Sequence, residues 1–143
     1  MENIALKGDP ITLICQNINH FMGGTKDIWR KSNHNIGLNL KDTDKLNQLK
    51  EAQQSFNDQK LEFFTYSSGL KLGFEKIITG LADKIHHGPG PFIVKFKPTL
   101  DTNKDDKLNR VYLNLDGEYF HIIKPIELRI RLNKKLSKGN VLF

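Results

Sequence analysis

The sequence predicts a mainly β fold of the α+β class, a β-sandwich-like lobe with one main amphipathic helix. Three observations lead there. Runs rich in Ile, Leu, Val and aromatic residues recur along the chain, enough for five or six strands. An Asp-Gly pair, Asp116 and Gly117, stands between two of these runs, "RVYLNL" and "EYFHII". That pairing calls for a two-residue type I′ hairpin turn, in which both central residues need φ > 0. Between Leu70 and Ile85 the apolar spacing changes to three and four residues, the period of a helix with one buried face.

Taken in order, "DPITLICQNI" starts at a proline and reads as a buried strand that enters a Gly-Gly-Thr turn at Gly23, Gly24 and Thr25. A polar stretch follows. In "KDTDKLNQLKEAQQSFNDQK" Leu46, Leu49, Ala52 or Gln53, and Phe56 recur at helical spacing, with Asp42 or Thr43 as N-cap. This predicts a short, mostly exposed helix within a long connection. The aromatic-rich "KLEFFTYS" reads as a strand. Leu70, Phe74, Ile77, Ile78, Leu81 and Ile85 then define the face of the main helix, with Gly88 as its C-terminal cap and Pro89 and Pro91 preventing its continuation. Gly80, inside that helix, costs about 1 kcal/mol against alanine and marks close packing. Period two returns in "FIVKFK", in the hairpin and in "PIELRIRL", and the chain closes on the short strand "NVLF". No repeat and no linker divides the 143 residues, so one domain is expected.

The totals bound the function. A chain of 143 residues buries roughly two thirds of its unfolded surface, enough for one core. No apolar run approaches the roughly 20 residues that span a bilayer, and the opening "MENIALKGDP" does not read as a secretory signal. Cys15 is the only cysteine, which fits a reducing, cytoplasmic setting. The net charge of +6 favours an anionic partner. A solvated surface accounts for that charge equally well, because 22 basic residues are set against 16 acidic ones.

Individual motifs leave alternatives open. Gly23 and Gly24 after a strand suit a phosphate or a plain turn, but the spacing of neither a Walker loop nor a dinucleotide fingerprint is present. Asp58 and Glu62 lie at a strand start and form a possible carboxylate pair. His86 and His87 are adjacent, not spaced as helical metal ligands, and no metal site is expected. Most aromatics alternate away from the lysines, a pattern that suits a core better than nucleic-acid stacking.

Four motifs together resemble the accessory domain of eukaryotic-type diacylglycerol kinases. "NINHFMGGTKDIW" is similar to the family's strand, Gly-Gly turn and tryptophan, carried here by Asn17, Gly23, Gly24 and Trp29. "DQKLEFFTYSS" is similar to its Asp-Gly-x-Leu-Glu strand entry, with Asp58 and Glu62 matching and Gln59 in place of the glycine. "GLADKIHHGPGPFIVKFK" resembles its glycine-and-strand segment, with Gly88 matching and His87 where a glutamine is common. "LNLDGEYF" resembles its Asp-Gly-Glu hairpin through Asp116, Gly117 and Glu118. The resemblance covers residues 11–143, with a polar insert at about 33–57.

The resemblance implies one lobe of a two-lobed lipid kinase that moves the γ-phosphoryl of ATP to diacylglycerol, giving phosphatidate. It places ATP and Mg²⁺ in the complete enzyme, on a catalytic lobe with a Gly-Gly-Asp-Gly-Thr loop. That loop is not found in this chain, so no cofactor and no turnover are expected of the chain alone. The implied partners are the catalytic lobe, diacylglycerol and an anionic membrane surface, with peripheral attachment and no nucleic acid. The alternatives are a basic β-domain binding nucleic acid or an acidic protein, and the matching lobe of a sphingosine- or ceramide-type kinase.

Overall fold

The structure is a computed structural model that describes residues 4–18, 27–32, 34–39, 41–97 and 110–131. The turn at Gly23 and Gly24, the loop at 98–109 and the closing "NVLF" lie outside the described residues. The described chain is mainly strand with three helices. It divides into two compact units, Met1–Pro89 and Gly90–Phe143.

The first unit is built on strands β1 (Thr12–Gln16), β2 (Lys60–Tyr66) and β3 (Asp83–Pro89), antiparallel in the order β1-β2-β3. Strand β2 is central, and every side chain from Glu62 to Tyr66 is buried. Strand β1 lies on one edge and alternates, with Leu13 exposed and Cys15 facing outward. It is therefore a half-exposed edge strand, not the buried strand its composition suggested. A register shift between Phe63 and Phe64 interrupts the β2–β3 ladder, as a bulge does. Beyond β3, isolated bridges join Ile36 to Lys84 and Leu38 to Leu6.

Two helices close the core over this sheet. Helix α1 (Ile28–Lys31) starts at Asp27, whose carboxylate accepts from the Arg30 N–H at 3.1 Å. It delivers Ile28 and Trp29 to the core, and the Trp29 indole N–H donates to the Ala52 carbonyl at 2.8 Å. Helix α2 (Thr43–Glu51) is the helix read in the polar insert. Asp42 caps it by accepting from the N–H groups of Asp44 and Lys45. Its Leu49 joins Ile28, Trp29, Phe64, Tyr66 and Ala82 in the core, whereas Phe56 lies past the helix end and is exposed.

The main helix expected over Leu70–Ile85 is not formed. Helix α3 covers only Gly69–Phe74, and Leu81 and Ile85 belong to an extended run that becomes β3. Glu75 ends the helix: its buried carboxylate accepts from the Gly80 N–H at 2.7 Å and the Leu81 N–H at 2.9 Å. Gly80 has φ +98°, and a Cβ there would stand 2.6 Å from the Lys31 carbonyl oxygen. Gly88 is accordingly not a helix cap; it is a buried strand residue opposite Leu61. The apolar spacing misled because Ile85 suits either period and lies in β3 on the second edge of β2, while Leu81 precedes that strand.

In the second unit β4 (Phe92–Lys95) pairs with β7 (Glu127–Ile130), placing Phe92 opposite Ile130 and Val94 opposite Leu128. Strands β5 (Arg110–Leu115) and β6 (Glu118–Ile123) form the expected hairpin. Asp116 and Gly117 have φ +50° and +96°, as a type I′ turn requires. The Asn114 side-chain oxygen accepts from the Gly117 N–H at 3.0 Å and closes the turn.

Candidate functional site

One row of the central sheet carries its most polar side chains. Gln16, Glu62 and His87 are direct partners across β1, β2 and β3. Glu62 shares a face of β2 with Phe64 and Tyr66, so the period of the strand turns it toward the core. Its side chain is 0 % exposed. A buried carboxylate must find donors or give up its charge.

Gln54, just after α2, supplies one donor. Its Nε2 donates to Glu62 Oε2 at 2.8 Å and to the Ile18 carbonyl at 2.7 Å, while its oxygen accepts from Gln16 at 3.3 Å. The other carboxylate oxygen, Oε1, has no hydrogen-bond partner among the described residues and lies 3.6 Å from His87 Nε2, which has none either. Asp58 Oδ2 approaches the same nitrogen at 3.8 Å. These separations exceed a hydrogen bond but allow strong electrostatic coupling.

Burial pushes the Glu62 carboxyl up to about 7, the Asp58 charge adds to the effect, and the Gln54 hydrogen bond opposes it. Burial and then the charge of Lys60 hold the His87 imidazole below its ordinary value. Near neutrality Glu62 thus holds a carboxyl that exchanges its proton beside an imidazole biased toward its neutral form. The His87 ring is 6.0 Å from the Trp29 ring, centroid to centroid. On Trp29 also lies the Lys84 ammonium, 4.3 Å from the ring centroid, donating to the Lys50 carbonyl at 3.2 Å. Burial lowers Lys84 to about 8, against the pull of Asp27. A cavity of about 310 Å³ opens beside the row, lined by Leu38, Lys45, Leu49, Ile85, His86 and His87 among others.

The structure brings Trp29, Asp58 and Glu62 together around His87. Gly88 follows His87 in β3, and a Cβ at Gly88 would stand 2.8 Å from His86 Nε2. Asn17 is exposed just past β1. Asp116, Gly117 and Glu118 are exposed at the hairpin tip, in the second unit. Among the described residues no group of three or more His, Cys, Asp or Glu side chains is arranged to hold a metal ion. Sequence reasoning missed Gln16, Gln54 and Lys84 and gave His87 no role. Only the strand register reveals them, since nothing in "ADKIHHG" says which histidine faces a carboxylate.

The family model for the diacylglycerol kinase accessory domain matches residues 1–119. The chain belongs to that family. The match includes the row on the central sheet and reaches Glu118 in the hairpin. Comparisons with curated proteins and with solved structures found no match.

Gln59 has φ +60°, a region that favours glycine. The Asp58 carboxylate accepts from the Lys60 N–H at 3.0 Å across this residue and holds the turn into β2.

Proposed function

We propose that this chain is the accessory lobe of an ATP-dependent diacylglycerol kinase. The observation that carries the reading is the family match over residues 1–119. The reaction transfers the γ-phosphoryl group of ATP to the free hydroxyl of diacylglycerol, releasing ADP and phosphatidate, a signalling lipid. Such transfer depends on positioned phosphates, Mg²⁺ and groups that manage the hydroxyl proton. ATP and Mg²⁺ belong to a catalytic lobe with the Gly-Gly-Asp-Gly-Thr loop, which this chain does not carry.

The chain's own contribution is a rigid wall. Glu62 and His87 lie on the central sheet and Asp58 in the turn that enters it, and His87 opens onto the cavity. Buried Glu62 lies 3.6 Å from His87 Nε2.

The test is an assay with ATP, Mg²⁺ and diacylglycerol in mixed micelles. The chain alone is expected to give no phosphatidate. Addition of a diacylglycerol kinase catalytic lobe is expected to raise that lobe's turnover. Robust phosphatidate formation by the isolated chain, or no effect on the catalytic lobe at saturating protein, overturns the reading.

A further inference from the structure

The cavity that His87 opens onto lies between β3, α2 and the strap of residues 4–7. Lys45, Gln48 and Leu49 line it from α2, at the i, i+3 and i+4 spacing that puts them on one face of the helix. The strap is tied down by its backbone. The Lys7 N–H donates to the Gly37 carbonyl at 2.8 Å, and the Ala5 carbonyl accepts from the Asn39 N–H at 3.1 Å. Ile4 and Ala5 line the cavity from this strap, and Leu38 lines it from the segment bridged to it.

Walls and rim differ in character. Ile4, Leu38, Leu49 and Ile85 are apolar, whereas Lys45 and Gln48, exposed on α2, bring an ammonium and an amide. No carboxylate stands among the described lining residues. Asp58 and Glu62 approach His87 at Nε2, a buried atom, and neither lines the cavity. Apolar walls with a few convergent donors suit an apolar ligand with an acceptor head. Lys45 is the one ammonium among the described lining residues, so it matches a head of single negative charge. A carboxylate is such a head, whereas a phosphate monoester carries between about one and a half and two charges near pH 7. Size sets the length. The volume of about 310 Å³ takes about ten non-hydrogen groups, at roughly 30 Å³ for each water-sized group. That is one chain of medium length, and the two chains of a diacylglycerol exceed it.

We propose that this cavity binds a medium-chain carboxylate, with the chain against Ile4, Leu38, Leu49 and Ile85 and the head at Lys45 and Gln48. The site does not depend on the kinase reading, because neither a catalytic lobe nor ATP takes part in it.

Decanoate, below its micellar concentration, is titrated into the full chain by calorimetry, and amide NMR shifts locate it. Saturable binding is expected, with shifts on α2, β3 and the strap. Decyltrimethylammonium, which carries a cationic head on the same chain, is expected to bind at least about tenfold more weakly. Lys45→Glu reverses the charge at an exposed site and is expected to weaken decanoate binding by about fivefold or more. Gln48→Trp fills the cavity from an exposed position and is expected to weaken it at least about tenfold. Lys97→Glu makes the same charge change at an exposed site in the second unit and is expected to leave binding unchanged. Unchanged melting curves show that the variants fold. The proposal is overturned if decanoate binding does not saturate, if the shifts fall elsewhere, or if the two heads bind equally. It is also overturned if either folded α2 variant binds as the parent does. Displacement of decanoate by equimolar dioctanoylglycerol overturns it as well, since the cavity would then be a diacylglycerol site.

Discussion

Glu62 concentrates the electrostatics of the lobe in one side chain. Its carboxyl ionises near 7 in the folded chain against about 4.5 when solvated. Between those values the folded state holds a proton that the unfolded state has released. Glu62 therefore contributes stability that is complete below pH 4.5 and is lost as pH rises through about 7. The loss is on the order of 1–3 kcal/mol. His87 has the opposite sign: its lowered value favours the neutral ring, so its contribution fades as pH falls below the ordinary histidine range. Glu62→Gln keeps the hydrogen bond from Gln54 and removes the titration. Urea unfolding is expected to find it more stable than the parent at pH 8 and nearly equal at pH 5. A second prediction concerns the backbone. Gln59→Gly relieves a left-handed side-chain residue and is expected to raise stability by up to about 1 kcal/mol in thermal melts.

At the scale of elements, the decisive event is the break between α3 and β3. Glu75 and Gly80 make it together: the carboxylate ties the turn, and the glycine passes 2.6 Å (for an added Cβ) from the Lys31 carbonyl in a left-handed conformation. Gly80→Ala is expected to cost about 2–4 kcal/mol, from backbone strain and the clash together, read as a lowered urea midpoint. The hairpin was legible because Asp-Gly is a local signal whose geometry needs no tertiary partner. Helix α2 was legible for the same reason, through its Asp42 cap. The false helix over Leu70–Ile85 was a tertiary matter. The apolar spacing was real, but β2 needed a second edge partner and took Ile85 into a strand.

Over the whole molecule, the buried hydrophobic residues among those described, from Ile28 to Ile85, lie in the unit ending at Pro89. A chain of residues 1–89 is expected to fold without the remainder. Its Trp29 fluorescence should remain that of a buried indole, with a cooperative melt. Red-shifted emission in buffer would refute this. Among the described residues of the second unit the pairings are two-stranded, and Tyr112, Leu115, Tyr119 and Ile126 are exposed. Isolated two-stranded ribbons are marginal in water, so among the described residues the core of the first unit is the main source of stability. Among the described residues no helix is long and apolar enough to cross a membrane.

The sequence by itself determined the mainly β class, the hairpin at Asp116 and Gly117, the capped helix after Asp42 and the accessory-domain family. Each rests on signals carried by neighbouring residues or by motifs in order along the chain. The tertiary structure decided which side chains meet. Only the register of β1, β2 and β3 aligns Gln16, Glu62 and His87, residues drawn from three distant parts of the chain. Only packing against Lys31 explains Gly80, and only the inward pull on Glu75 turns Phe74, Ile77 and Ile78 outward. Local chemistry fixes turns and caps, while burial and register are properties of the assembled sheet.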